Sequence, residues 1–166
     1  MRNLLFLSLL AICLITSCSK NTTVTPTPTN TELISATTWQ PNKVTASVGL
    51  TLTAYTKGGT SNLIDFAKFK LTLAKDGKYT AINYDGTATT GTWKFTNSEK
   101  SFEQTDGATG EIVAWDISLL SATNFNVSHT INLTKPSKFD QALIDFGKSV
   151  GIAAPAGSSL GIELIP

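Results

Sequence analysis

The chain has 166 residues and nearly balanced charge, with 13 basic and 12 acidic side chains, one histidine and two cysteines. That length suits a single domain with a real hydrophobic core. The lone histidine rules out a multi-histidine metal centre, and the only arginine, Arg2, sits at the extreme N-terminus. Without arginine forks or a basic patch the composition argues against a nucleic-acid partner.

Arg2 precedes a nearly unbroken apolar run from Leu4 to Ile15, the pattern of a secretory signal. The run is too short for a mature membrane span, which needs about 20 apolar residues. Ile15, Thr16, Ser17 and Cys18 resemble the bacterial lipobox. That resemblance implies cleavage after residue 17 and lipid attachment at Cys18. Acyl chains contribute about 0.8 kcal/mol per buried CH2 and would anchor the protein durably. The residues after Cys18 lack a retention aspartate and an acidic export run, so the expected location is the outer membrane, facing the periplasm. Residues 18–31, with their TPTPT core, read as an extended tether. Residues 32–166 are then the folded domain. Cys13 leaves with the signal, so disulfides are not expected.

Period-two alternation dominates from Ile34 onward. Ile34 to Trp39 reads as a first strand, and KVTASVGLTLTAY from Lys43 to Tyr55 as one long strand with Val44, Ala46, Val48, Leu50, Leu52 and Ala54 on its dry face. Phe69, Leu71 and Leu73 repeat the pattern before an Asp-Gly turn at Asp76 and Gly77. Further Asp-Gly pairs at Asp85 and Asp106 supply hairpin turns. Between and beyond them lie strands carrying Gly91, Trp93 and Phe95, then Val113, Trp115, Ile117 and Leu119, then Phe125, Val127, His129, Ile131 and Leu133.

After Pro136, residues Phe139, Ala142, Leu143, Phe146 and Val150 fall at helical spacing, started by Ser137 and Asp140 and stopped by Gly151. This stripe reads as core packing rather than a ligand lid. A last strand, SLGIELI, follows. The predicted fold is all-β: an up-and-down antiparallel meander closed into a barrel of about eight strands, with one helix near the C-terminus and a final strand. A β-sandwich is the alternative.

Lys75 to Tyr79 (KDGKY) followed by Gly91 to Trp93 (GTW), with TTW upstream and a Trp-bearing strand downstream, resembles the lipocalin-like domain of small lipoproteins from Gram-negative bacteria. The resemblance covers roughly Ile34 to Leu133. It implies a barrel whose interior takes a small molecule, and a helix and strand after the barrel strands. At the first tryptophan lipocalins proper carry Gly-x-Trp, whereas this chain has Thr37, Thr38 and Trp39.

Phe69, Trp93, Phe95, Trp115, Phe125 and His129 project to one interior if these faces are right, and form the candidate ligand-binding set. No catalytic residue is assigned. His129 falls on an apolar face opposite to Ser128, so the two form no dyad. Asp76, Asp85 and Asp106 precede glycine in turns, where carboxylates serve the backbone, and Asp116 has no evident partner. No phosphate or calcium loop is found, so neither metal nor cofactor is expected and an enzyme is not predicted; a hydrolase built on a carboxylate pair is the third class. Asn21, Asn126 and Asn132 match the glycosylation pattern by chance. The expected function is binding of a small hydrophobic or amphipathic ligand in the cell envelope. The alternative is an envelope scaffold with a filled core that binds an unknown protein partner through loops such as Lys57 to Asp65.

Overall fold

The computed structural model describes residues 26–149 and 151–166. Cys18 and the signal lie outside these residues, as does Val150 of the predicted helical stripe. Eleven elements follow one another: α1 (Asn30–Ile34), β1 (Thr38–Ser47), β2 (Thr51–Thr56), β3 (Lys70–Leu73), β4 (Lys78–Ile82), β5 (Ala88–Thr96), β6 (Ser101–Asp106), β7 (Ile112–Leu120), β8 (Phe125–Thr130), α2 (Lys138–Ser149) and β9 (Ser159–Ile165). From β3 to β9 each strand pairs antiparallel with its sequence neighbour, and β9 pairs with β1. β1 in turn pairs with β3 through Thr38 and Trp39. The ring therefore closes with eight strands, and β2 lies outside it along the second half of β1. The predicted barrel and its following helix and strand are observed. The sandwich is not.

Local physics accounts for the differences in detail. Ile34 does not open a strand, because Thr29 and Glu32 form a reciprocal capping box that winds Asn30–Ile34 into a helical turn. The expected long strand folds back on itself at Gly49, whose φ of 84° is the left-handed conformation a tight turn demands. Its first half is β1 and its second β2, so Leu50 is 60% exposed at the tip while Val44 is fully buried. In β7 a register irregularity between Ile117 and Leu119 turns Leu119 outward and Leu120 toward the core. One extra residue is enough to exchange the faces of a strand.

The barrel has two unlike ends. At one, α1 lies against the turns: Asn30 Nδ2 donates to Glu99 Oε2 in the β5–β6 turn, and Trp39 Nε1 donates to the Ile34 carbonyl at 2.8 Å. Trp39, Leu73, Phe102, Phe125 and Leu164 are fully or almost fully buried there. Phe125 stands between Trp39 and Phe102, its ring centroid 5.4 and 5.6 Å from theirs. This end is packed solid. At the other end α2 and the β2–β3, β4–β5 and β6–β7 connections surround a void.

Candidate functional site: a cavity beneath a helix

Alternation places Leu71, Tyr79, Ala81, Thr89, Gln104 and Val113 inside the barrel, and below α2 they leave a cavity of about 470 Å3. Phe66, Phe69 and Tyr84 from the β2–β3 and β4–β5 connections form one side of its mouth, with Phe66 5.7 Å from Tyr84. Phe102 and Trp115 line its floor and wall. Phe139, Leu143 and Phe146 of α2 roof it. The filled interior considered from sequence is thus confined to the α1 end, because the small Ala81 side chain and the wide helical roof leave the other half open.

The polar groups cluster at the rim. Asp85 and Asp106 line the mouth, yet each already accepts hydrogen bonds from its own turn, Asp85 from Thr87 and Asp106 from Ala108 and Thr109. These bonds, led by the Thr109 hydroxyl, hold the Asp106 carboxyl below its usual range, with Lys138 adding to the effect. Burial, reinforced by the Asp106 charge, pushes the Tyr79 phenol up, so it stays neutral in the cavity wall. Among the described residues the buried Trp115 indole N–H has no acceptor.

Of the six candidate residues, the structure brings Phe69 and Trp115 to the cavity. Phe125 is in the packed end. Trp93 is also buried, its Nε1 donating to the Ala74 carbonyl at 2.9 Å, with Phe95 edge-on at 5.2 Å. His129 is in neither place. Its Nδ1 lies 2.8 Å from the Ala114 carbonyl and its Nε2 2.7 Å from Asp140 Oδ1. Both partners are oxygen acceptors, so each ring nitrogen has a partner to which it can donate.

Asp140 Oδ2 meanwhile accepts from the Ser137 N–H and hydroxyl, while Ser137 Oγ accepts from the Asp140 N–H. The expected capping start is therefore a full box, and its carboxylate also joins the helix to β8 through His129. Because Ser137 addresses Asp140 and not the imidazole, the three groups form a structural clasp and not a nucleophile with its base. Among the described residues no cluster of three potential metal ligands is found.

Burial raises the Asp140 pKa, but bonds from His129 and from the Ser137 backbone and side chain outweigh it, and the carboxyl is held below its ordinary 3.8. A depressed carboxylate stabilises the fold above its unfolded value, and that contribution disappears as pH falls through the folded value. Acidification from pH 5 toward pH 2 should therefore loosen α2. Trp115, whose ring is 5.5 Å from His129 and 5.7 Å from Phe139, should report this as an acid transition in fluorescence. In Asp140→Asn that transition should be lost; an identical transition in both proteins would place its cause elsewhere.

The sequence reading missed Phe66 and Tyr84, which lie in connections, and the roofing role of Phe139, Leu143 and Phe146. It also missed Asp140 as the partner of His129. A scan of family models and a search of curated proteins find no match to this chain. Fold and cavity together define an eight-stranded antiparallel barrel with one packed end and one open interior.

Proposed function

We propose that this protein is a non-enzymatic carrier that holds one small, mainly apolar molecule in the barrel cavity under α2, with the lipocalin-like character its motifs resemble. The cavity itself carries the reading. Protein interiors are packed to crystal density with few voids larger than a water, whereas about 470 Å3 is equivalent to roughly fifteen waters at about 30 Å3 each. Binding pockets are typically apolar, concave and rimmed by a few polar groups, and the aromatic lining with its polar mouth matches that description.

The lipobox-like Cys18 and the tether support a position on the outer membrane facing the periplasm. The carrier would then act within reach of the envelope lipids.

N-phenyl-1-naphthylamine, an uncharged ring compound of suitable size, tests the reading. At about 0.3 kcal/mol for each of roughly seventeen non-hydrogen atoms its Kd should be on the order of 200 μM. Titration should show saturable one-to-one uptake with a blue-shifted probe emission. Ala81→Phe places a ring in the cavity and should weaken uptake about tenfold or more while leaving the fold intact. Equal uptake by both proteins, or none by the unmodified one, would contradict the proposal.

A further inference from the structure

α2 is strongly amphipathic, with Phe139, Leu143 and Phe146 on its inner face; Phe139 packs on Trp115 and His129 and Leu143 meets the edge of the core, but toward its C-terminal half that face lies over the cavity. Ala142 lines the cavity and is still exposed, and Leu143 and Phe146 are only half-buried. A helix normally obtains most of its stability from packing such a face. Here much of that contact is left to whatever fills the void.

The ties of α2 to the barrel are also unevenly placed. Among the described residues its hydrogen bonds to the barrel are two: the Phe139 N–H to Glu111 Oε1 at 3.1 Å, and the Asp140 carboxylate to His129. Both lie in the first turn. The remaining side-chain bonds of the helix, Gln141 to Asp145 and Ser149 to the Phe146 carbonyl, are internal. Beyond the helix, Gly151 with a φ of 75° and Gly157 with a φ of 83° lie in an exposed connection where added side chains would meet open space. Such segments open at low free energy because little buried surface and few hydrogen bonds hold them.

We propose that α2 is a ligand-gated lid, pivoting on the buried His129–Asp140–Ser137 clasp, whose distal half lifts to admit the ligand and is held shut by it. The inference rests on the carrier reading of the cavity and adds how the site opens. Closure follows from contact: the ligand supplies the missing surface beneath Leu143 and Phe146, so binding shifts the population toward the closed helix. The clasp keeps the first turn seated in both states, so the helix need not find its register again after each opening. His129 and Asp140 act as positioning residues, since they touch α2 and not the cavity contents.

Hydrogen exchange on the purified full chain, free and saturated with N-phenyl-1-naphthylamine, tests the lid. In the free protein, amides of Gln141 to Ser149 should exchange about tenfold or more faster than those of β8, and bound probe should slow them about tenfold. Stopped-flow displacement supplies the second readout. Probe dissociation should accelerate about tenfold in His129→Gln, which loosens the pivot, and in Phe146→Ser, which weakens closure without touching it. Ile34→Ala, a core truncation at the packed end, should leave the dissociation rate unchanged and so separates gating from general destabilisation.

Distal amides as slow as those of β8 in the free protein would overturn the lid, as would probe dissociation unaltered in both His129→Gln and Phe146→Ser. If the unmodified protein takes up no probe, the carrier reading fails, and the free-protein exchange pattern alone decides whether α2 opens.

Discussion

Trp39→Ala should lower the unfolding free energy by about 4 kcal/mol, within the range for truncating a large buried ring. The side chain is completely buried, packs 5.4 Å from the Phe125 ring and donates its indole N–H to the Ile34 carbonyl. Its loss would open a void in the packed end and leave that carbonyl, at the end of α1, without its donor. Trp39 is also one of only two β1 residues that pair with β3, so the seam of the barrel depends on it. Urea unfolding of both proteins measures the effect. A loss below about 1 kcal/mol would mean that the end is not packed as described.

Gly91→Ala should be nearly as damaging, although adding a methyl group to a strand glycine ordinarily helps by roughly 0.5–1 kcal/mol. Gly91 in β5 pairs with Tyr79 on one side and Asp106 on the other. A Cβ there would collide with the Thr105 carbonyl oxygen and stand 2.8 Å from Tyr79 Cε1. The backbone oxygen cannot move aside without breaking the β5–β6 ladder. The sign therefore reverses, to a loss of about 3 kcal/mol, which the same urea experiment would detect. This position illustrates a limit of sequence reasoning, since Gly91 looks like spare interior volume but the Tyr79 ring already occupies that space.

The strands from β3 to β8 were legible because Asp76, Asp85 and Asp106 mark turns and alternation marks faces between them. Legibility failed where one residue changes the phase. Gly49 reverses the chain inside an unbroken alternating run, and the irregularity after Ile117 exchanges Leu119 for Leu120. The short α1 was hidden because its Thr-x-x-Glu signal sits at the end of a low-complexity tether. Each of these is a local backbone event that hydrophobic period cannot register.

The cavity was harder to see for a different reason. Phe69 and Trp115 share it with Phe66 and Tyr84 because the barrel closes, and convergence of distant segments leaves no trace in local spacing. His129 is buried and held by hydrogen bonds outside the cavity, because its partner Asp140 comes from the helix that covers the barrel mouth. The apolar stripe of α2 has the same sequence pattern whether it rests on a core or roofs a void. Only the depth of packing beneath it, set by small residues such as Ala81, tells the two apart.

The most direct test of the carrier function is native mass spectrometry of the protein purified from the cells that make it, followed by solvent extraction and a titration with N-phenyl-1-naphthylamine. The account predicts one small apolar molecule per chain, released on unfolding, and one-to-one uptake of the probe by the emptied protein. A chain that carries nothing and also fails to take up the probe would contradict it.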